Sequence, residues 1–487
     1  MILRKYDTAC SLYDIFSCLH QEEDAVFLDS SLKNQYGRFS IAGFLPEMKA
    51  EEKDGIFYLN EQPQQMDCMA WLKAYLAKNR EENPTALPFV SGGIGYLTYD
   101  YGKRFMGLPH VHPKNIDMAD CRFVFYRLYL IEETQTGEIT IAARDEEAVA
   151  WLKKKERESA GWLCASAKEC KCAEHAEAGQ NEITSDFAEA EQNEVTSDFA
   201  KAGQNEVTSD FAEDDYKDAI QKMVDYIVAG DIYITNMTRQ IEIRSQAEPY
   251  EIFRFLRKNN PSPFGGYFNY KDVEIVSASP ERFFEIRDKV IRTRPIKGTR
   301  KRGATPEEDE MLRLELQNSE KDKSELLMIV DLERNDLSRV CEANSVKVEE
   351  LFVTEAYATV FHLVSTICGK LHAQKDLVDV LEAMFPGGSI TGAPKYRSME
   401  IIDELEHSRR MLYTGSMGYI GFDGNCDFNI VIRTLVHQGD CYHIGAGGGI
   451  TCESEPDFEY EETCQKAMAL IDAAAKAADI LQKGQEK

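Results

Sequence analysis

The series of β-rich runs in the second half of the chain places the strongest constraint on its fold. Runs such as GSMGYIGFDGNCDFNIVIRTLV and CYHIGAGGGIT are rich in β-branched and aromatic residues and contain glycines at their ends, which is typical of strands joined by tight turns. Helical patterns separate the runs near residues 308–339, 376–384, 394–406 and 457–482. The alternation predicts an α+β fold in which large, mostly antiparallel β-sheets pack together under outer helices.

A short repeat divides the chain into two parts. The motif NE(I/V)TSDFA begins at Asn181 and recurs twice with a period of twelve residues, which is too short for a solenoid unit. Residues 166–213 around it are acidic and poor in large apolar side chains, so they predict a mobile linker. The linker separates an N-terminal α+β part, residues 1–165, from a C-terminal part, residues 214–487. The first two copies are interpreted as duplications of the N-cap sequence of the helix that follows the third copy.

The overall charge and the apolar pattern exclude several classes of protein. A net charge of -28 argues against a nucleic-acid partner, because binding to a polyanion requires lysine and arginine spread over a whole face. The chain shows no apolar run of the length of a signal peptide or a membrane span, so we expect no membrane partner and a cytoplasmic location. Thirteen scattered cysteines favour reduced thiols over a disulfide framework.

One basic segment stands out in this acidic chain. The stretch RTRPIKGTRKRG, residues 292–303, holds six basic side chains. A phosphate patch, a solvated loop and one wall of a site for a small anion are all compatible with that composition.

Two helical segments each place two carboxylates three residues apart. The pairs are Asp322 with Glu325 and Glu459 with Glu462, and this spacing puts the members of each pair on one helix face. Clustered carboxylates of this kind can hold a magnesium ion. Spacing alone favours the simpler alternative, two solvated helix faces.

Two further side chains and two glycine runs are candidates for a binding site. Arg433 ends an apolar strand, where a guanidinium requires either a salt bridge or a bound anion. His362 lies in the apolar run TVFHLVSTIC and could equally be a hydrogen-bonded core histidine. The runs FPGGSITGAPK and IGAGGGITCESEP expose backbone amides to an anion, but neither matches a nucleotide-binding signature.

These segments together resemble a known family. The motifs SASPERFF, RTRPIKGTRKRG, ELLMIVDLERNDLSRV, FPGGSITGAPKYRSMEIIDELE and GAGGGITCESEPDFEYEETCQKA are similar to those of the chorismate-utilising enzymes. That family includes anthranilate synthase component I, aminodeoxychorismate synthase component I, isochorismate synthase and salicylate synthase. The resemblance runs in order from about Tyr216 to the C-terminus, and FLDSS, GRFSIAG and GGIGYLTYDYGKRF extend it more weakly into the N-terminal half.

The resemblance implies a binding site for chorismate, a cyclohexadiene with two carboxylates. Magnesium is implied to bridge the ring carboxylate to Glu325 and Glu462, with Asp322 and Glu459 close by. The residues implied to hold the pyruvyl carboxylate are Tyr419, Arg433, Gly447, Gly448, Gly449 and Lys466. The further substrate contacts are Gly298, Thr299, Thr391 and Asn236.

The resemblance also assigns catalytic roles. Glu281 matches the general acid that protonates the ring C4 hydroxyl as it leaves, and burial near a substrate anion should raise its pKa. His362 matches a histidine that serves orientation or proton transfer beside the ring.

Lys297 occupies the position at which the branches of the family differ. Anthranilate synthases resemble PIAGT here, whereas this chain reads PIKGT, as aminodeoxychorismate synthases do. The resemblance implies that the lysine amine attacks ring C2 as C4 loses water, and that ammonia then adds at C4 and expels the lysine. Asn236 favours the same branch, although Ile234 departs from the glutamine usual in both.

The activity so implied is amination of chorismate to 4-amino-4-deoxychorismate for 4-aminobenzoate and folate synthesis. Because no cysteine lies in a glutaminase nucleophile motif, we expect a separate glutamine amidotransferase subunit as partner. The alternatives are anthranilate formation, a non-catalytic subunit that binds chorismate or tryptophan and, more remotely, isochorismate or salicylate formation. Ser30, Pro263 and Phe264 match a pocket in which relatives bind tryptophan, although simple packing explains them equally well.

Overall fold

The computed structural model describes residues 1–34, 36–159, 206–356 and 360–485, with side chains as far as residue 478. The first two copies of the repeat, and most of the predicted linker around them, lie outside the described residues.

Eleven α-helices occur in the described part of the chain. They are α1 (Leu12–Leu19), α2 (Cys68–Lys78), α3 (Tyr99–Met106), α4 (Glu146–Glu158), α5 (Glu213–Ala229), α6 (Pro249–Asn259), α7 (Pro306–Asn318), α8 (Glu320–Ser338), α9 (Leu377–Met384), α10 (Lys395–Leu405) and α11 (Pro456–Gln485). A short 3₁₀ helix covers Gly388–Ile390. The predicted helical region at 308–339 is thus two helices, because Ser319 ends α7 and caps α8 by accepting a hydrogen bond from the Asp322 amide.

The strands of the described residues number 22. They are β1 (Ile2–Tyr6), β2 (Val26–Asp29), β3 (Phe39–Lys53), β4 (Ile56–Leu59), β5 (Gln62–Pro63), β6 (Gly92–Leu97), β7 (Cys121–Glu133), β8 (Glu138–Ala143), β9 (Glu206–Ser209), β10 (Ile234–Arg244), β11 (Gly265–Asn269), β12 (Glu274–Ser277), β13 (Arg282–Arg287), β14 (Val290–Thr293), β15 (Ile296–Lys301), β16 (Lys347–Ala356), β17 (Val360–Lys370), β18 (Gly392–Ala393), β19 (Ser416–Gly421), β20 (Cys426–Asn429), β21 (Thr434–Gln438) and β22 (Cys441–Ile450).

These strands form one hydrogen-bonded network with two wings, and every pairing between them is antiparallel. The first wing runs in the order β9, β10, β22, β21, β12, β11, β2, β3, β7, β8, β1. The second wing runs from β7 through β6, β19, β20, β13 and β14 to β17, which also pairs with β15 and β16. The long strands β3 and β7 belong to both wings, and a break in their register between Pro46 and Met48 marks the bend.

Apolar clusters show how the layers pack. One cluster packs α1, α4, α6 and α11 against the first wing, and another packs α2, α7, α8 and α9 against the second. A third cluster combines Val26 and Ile275 of the first wing with Ile94 and Met417 of the second, so it fills the space between the wings. The result is a helix, sheet, sheet, helix arrangement, which confirms the predicted α+β class with packed antiparallel sheets and outer helices.

The two parts separated by the predicted linker share the same sheets. Strand β2 pairs with β11, and β6 pairs with β19, so strands from residues 1–165 lie between strands from residues 214–487. The C-terminal end of the predicted linker also belongs to the sheet, because β9 pairs with β10. Among the described residues, no helix is both long and apolar enough to cross a bilayer.

Candidate active site

Lys297 lies on β15 at an irregular point of the sheet. The register between β15 and β17 shifts between Lys297 and Thr299, and the residue between them, Gly298, has a φ of 77°. A Cβ at Gly298 would lie 2.7 Å from Asp322 Oδ1, so both the backbone conformation and the contact with α8 require glycine. This bulge brings the Lys297 side chain to β22 of the other wing, where its Nζ lies 2.9 Å from the position that a Cβ of Gly449 would occupy.

The arginines of the basic segment are paired with carboxylates. Arg294 contacts Glu355, with Nη1 3.0 Å from Oε2, and Arg302 lies 2.6 Å from Asp309. Arg300 contacts Asp322 at 3.2 Å and Glu315 at 2.8 Å. Lys297, in contrast, forms no hydrogen bond or ion pair with the residues that the structure describes. Among the described contacts of this segment, the Lys297 amine is therefore available to a ligand.

The glycine-rich end of β22 lies opposite Lys297 and has one open edge. Strand β21 pairs with β22 only as far as Ile444, so the residues beyond it have a strand neighbour on one side, β10. Thr238 of β10 lies opposite Gly447 but donates its amide hydrogen bond to Glu406, so this pair is not hydrogen-bonded. By the alternation of an antiparallel ladder, Gly447 and Gly449 direct their amides to the open edge. There Lys466 Nζ donates to the Gly447 carbonyl oxygen at 2.9 Å.

Glu325 of α8 and Glu462 of α11 are close enough to interact electrostatically. A Cβ at Gly448 would lie 2.9 Å from Glu462 Oε2 and 3.0 Å from Glu459 Oε2, so the acidic face of α11 packs directly on β22. Burial raises the pKa of Glu325, and the nearby carboxylates of Asp322 and Glu462 raise it further. Asp322 is paired with Arg300, and Glu462 lies 3.1 Å from Lys466.

No three histidine, cysteine or acidic side chains converge tightly enough in the described ranges to form a closed metal cage. The carboxylate oxygens nevertheless suit a magnesium ion that uses one or two protein carboxylates and completes its shell with water or substrate oxygens.

Glu281 lies just before β13 and is buried. Ser389 Oγ donates a hydrogen bond to Glu281 Oε1 at 2.8 Å. Burial raises the pKa of the Glu281 carboxyl, while the Ser389 hydrogen bond and the positive charge of Lys297 oppose this effect. The rise agrees with the direction expected for a general acid.

His362 and Arg433 are close enough to interact electrostatically. Burial, followed by the charge of Arg433, lowers the pKa of His362 to about 4. The ring is therefore neutral at physiological pH, and its Nδ1 lies 2.9 Å from Thr299 Oγ1. The guanidinium of Arg433 has no ion-pair or hydrogen-bond partner within the described part of the chain. Arg433 also adopts a left-handed φ of 51°, unusual for a long side chain, and the residue is exposed, so solvent or a ligand can reach it.

Two of the remaining predicted substrate contacts, Asn236 and Thr391, lie in different surroundings. Asn236 lies on β10 opposite Gly449, and Cδ1 of its neighbour Ile234 approaches the Cβ position of that glycine at 4.0 Å. Ile234 therefore forms an apolar wall beside the Lys297 amine. Thr391 lies near Ser389, but its hydroxyl donates to the Gly387 carbonyl at 2.8 Å and is buried. Thr391 thus shapes the loop rather than offering its hydroxyl to a ligand.

Tyr419 is not at this site, which corrects the prediction for that residue. It lies on β19, with its ring centroid 5.0 Å from that of Phe89, and it lines a second cavity. The tyrosine at the candidate site is Tyr413, whose ring lies against Gly445 of β22. Burial raises the pKa of Tyr413, and Glu462 and Glu281 lie close enough to add to this effect. No motif marks Tyr413 in the sequence, because it lies in an irregular loop between α10 and β19.

The predicted tryptophan-pocket residues line that second cavity, which has a volume of about 490 Å³. Ser30 Oγ lies within hydrogen-bonding distance of the carbonyl oxygens of Phe39 and Pro263, at 2.8 and 2.9 Å. Phe264 and Tyr419 contribute aromatic surface to the wall. The cavity is thus separate from the Lys297 site.

Comparison with known proteins places this geometry in context. The family model for chorismate binding enzymes matches residues 23–472. Aminodeoxychorismate synthase component 1 of Bacillus subtilis (strain 168) is 35% identical over 442 residues, which cover 89% of this chain and 88% of the relative. Anthranilate synthase component 1 of Cereibacter sphaeroides is 36% identical over 451 residues, which cover 91% and 87%.

Solved structures agree with this assignment. Anthranilate synthase component I from Streptococcus pneumoniae TIGR4 matches with a TM-score of 0.73 at 26% identity, covering 90% of this chain and 93% of that one. MenF, the menaquinone-specific isochorismate synthase from Escherichia coli, shares the fold with a TM-score of 0.68 at 15% identity, covering 97% and 94%. The sequence motifs, the fold and the family match lead to one conclusion: this chain belongs to the chorismate-binding enzyme family.

Proposed function

We propose that this chain is the chorismate-aminating component of an aminodeoxychorismate synthase. The observation that carries the proposal is the primary amine of Lys297, which has no ion-pair or hydrogen-bond partner among the described residues and lies near both Gly449 of β22 and the Glu325 carboxylate of α8. A nucleophilic amine near a buried carboxyl whose pKa is raised is the arrangement that covalent activation of a poor leaving group requires.

Substrate binding follows from the distribution of charge. Arg433 and the open-edge amides of Gly447 and Gly449 would hold one carboxylate of chorismate. Magnesium would hold the other through Glu325 and Glu462, with Asp322 and Glu459 nearby. When bound, the ion would neutralise the ring carboxylate and orient the ring.

The proposed reaction proceeds in two substitution steps at the ring. Once the Lys297 ammonium has given a proton to solvent, its amine forms a bond to C2 while the C4–O bond breaks, and Glu281 gives its proton to the departing oxygen, which leaves as water. Ammonia then forms a bond to C4 as the C2–N bond breaks, and Lys297 leaves as the free amine. Neutral His362, held through Thr299, would orient the ring from the other side.

Ammonia would come from a separate glutamine amidotransferase subunit in a heterodimer, with free ammonium as a substitute in vitro. The product would retain the pyruvyl group, so a separate lyase would release 4-aminobenzoate, a folate precursor.

Anthranilate formation is the second candidate, because anthranilate synthase relatives are as similar to this chain as aminodeoxychorismate synthase relatives are. The residue at position 297 is what favours aminodeoxychorismate formation over anthranilate formation. With a lysine there, ammonia is directed to C4, whereas a small residue would leave C2 open to direct attack by ammonia.

The deciding experiment identifies the product. The purified chain is incubated with chorismate, magnesium and ammonium, with and without added aminodeoxychorismate lyase, and a parallel reaction contains EDTA. We expect 4-aminobenzoate only when the lyase is present, and little turnover with EDTA. Fluorescent anthranilate without the lyase would contradict the proposal. Conversion that does not require ammonium would indicate isochorismate or salicylate formation, and binding without turnover would indicate a regulatory subunit.

A further inference from the structure

The backbone is irregular at Phe283, two residues after Glu281. The register between β13 and β20 shifts between Arg282 and Phe284, and the pairing of β13 with β14 begins only at Glu285. Phe283 therefore lies at a bulge, outside the regular ladder. Its carbonyl oxygen lies 2.8 Å from Thr293 Oγ1, which replaces the missing strand partner.

The Thr293 hydroxyl has a second partner, and the two contacts together determine which group must donate each hydrogen bond. Thr293 Oγ1 also lies 2.8 Å from Glu333 Oε2, and both Thr293 and Glu333 are buried. A hydroxyl has one hydrogen to donate, and the Phe283 carbonyl can only accept. Both contacts become hydrogen bonds when Glu333 is a neutral carboxylic acid that donates to Thr293, which in turn donates to Phe283.

The surroundings of Glu333 favour this neutral form. Burial raises the pKa of Glu333 to about 8, and the carboxyls of Glu281 and Asp336 add to the rise. The nearby cation, Lys395, lies 2.6 Å from Asp336 Oδ2 and also donates to the Met384 carbonyl oxygen. Lys395 therefore contributes less to stabilising an ionised Glu333 than an unpaired lysine would.

Glu333 is also linked to the loop on the far side of Glu281. A Cβ at Gly388 would lie 3.7 Å from Glu333 Cγ, and the next residue, Ser389, donates the hydrogen bond to Glu281. Glu333 thus lies beside both segments that hold Glu281 in place.

We propose that Glu333 is a positioning residue for Glu281, acting as a neutral acid that donates through Thr293 to the Phe283 carbonyl and so fixes the bulge behind the general acid. The functional consequence rests on the role proposed above for Glu281, whereas the hydrogen-bond chain itself does not. Ionisation of Glu333 would remove the donor and loosen the Glu281 segment.

Kinetics of two variants test the positioning role. Glu333→Ala removes the donor, and we expect kcat to fall about tenfold or more while KM for chorismate changes less than threefold, because Glu333 lies behind the site. Glu333→Gln keeps a donor of nearly the same shape and should restore most of the lost kcat. Asp331→Asn, at an exposed position of the same helix, serves as the control. If Glu333→Gln is as impaired as Glu333→Ala, or if the alanine variant matches the unmodified chain, the proposal is wrong.

Thermal unfolding between pH 5 and 9 tests whether Glu333 is protonated in the folded protein, and it does not depend on enzymatic turnover. A carboxyl whose pKa is raised on folding adds stability at low pH, and this contribution is lost as pH rises through the folded-state value. Glu333→Gln does not titrate, so its Tm relative to the unmodified chain should rise by several degrees between pH 5 and about 8 and then level off. Parallel Tm curves would overturn the neutral-acid chain, even if the enzyme forms the expected product.

Discussion

Lys297 and Gly449 are so close that a change in the size of either residue affects the other. The amine lies 2.9 Å from the position that a Cβ of residue 449 would occupy, and Ile234 Cδ1 lies 4.0 Å from the same position. The reactive nitrogen is therefore positioned by the absence of a side chain on the opposite strand. An enlarged residue 449 would displace the amine without any change in its chemistry.

We expect Lys297→Ala to lose at least 100-fold in aminodeoxychorismate formation with ammonium, because the covalent route then lacks its nucleophile. Any residual product should shift toward anthranilate, detectable by its fluorescence. Lys301→Ala, an exposed position on the same strand, should retain activity within a factor of about three. Formation of aminodeoxychorismate by Lys297→Ala at the unmodified rate would exclude the covalent route.

His362 should titrate far below a typical histidine. Its pKa of about 4 in the folded protein lies below the unfolded value of about 6.5, so the unfolded chain binds more protons between these values. The free energy of unfolding contributed by His362 should therefore decrease as pH falls from about 6.5 to 4. NMR of the imidazole resonances, assigned with His362→Gln, should show a midpoint near 4; a midpoint near 6.5 would contradict the burial argument.

At the scale of single elements, the bulge in β15 can be compared with an ordinary turn. Gly298 and Gly55 share a φ of 77°, but a Cβ at Gly55 would have no atom within 4 Å, whereas one at Gly298 would collide with Asp322. Alanine at Gly55 should cost about 1 kcal/mol of unfolding free energy, the cost of the left-handed conformation alone. Gly298→Ala should cost roughly twice as much or more and should also reduce turnover, because it displaces either Lys297 or α8. Urea denaturation measures both costs, and equal values would contradict the contact with Asp322.

The same elements show what the sequence could and could not predict. Helical spacing correctly placed Asp322 with Glu325 and Glu459 with Glu462 on common faces, because that geometry is local. The pairing of Arg294 with Glu355 and the position of Tyr413 against Gly445 depend on contacts between strands distant in sequence, which no local pattern encodes. Tyr419 was misplaced for the same reason: of two tyrosines six residues apart, Tyr413 packs against Gly445, whereas Tyr419 lines the cavity at Ser30.

At the scale of the whole molecule, the shared sheets argue against independent domains. Because β2 and β6 supply neighbours for β11 and β19, residues 214–487 alone would expose two strand edges and half of the core between the wings. We expect this fragment to lack cooperative thermal unfolding when followed by circular dichroism. A cooperative transition resembling that of the full chain would show that the catalytic part folds by itself.

Removal of residues 181–204, the first two copies of the repeat, should have little effect. The third copy supplies β9 and leads into α5, and residues 160–180 remain to join α4 to β9. Activity and Tm should match those of the full chain, since the described strand pairings and the candidate site are built from residues that the deletion retains. A large loss of Tm would show that the repeats stabilise the fold.

The pairing of β6 with β19 has a consequence for biogenesis. More than three hundred residues separate Gly95 from its partner Gly418. During synthesis, one edge of β6 therefore lacks its partner strand until most of the chain has been translated. At typical elongation speeds the interval is on the order of tens of seconds. Ribosome-associated chaperones that cover nascent apolar strands should therefore influence the yield of this enzyme more than that of a protein whose strands meet their partners soon after synthesis.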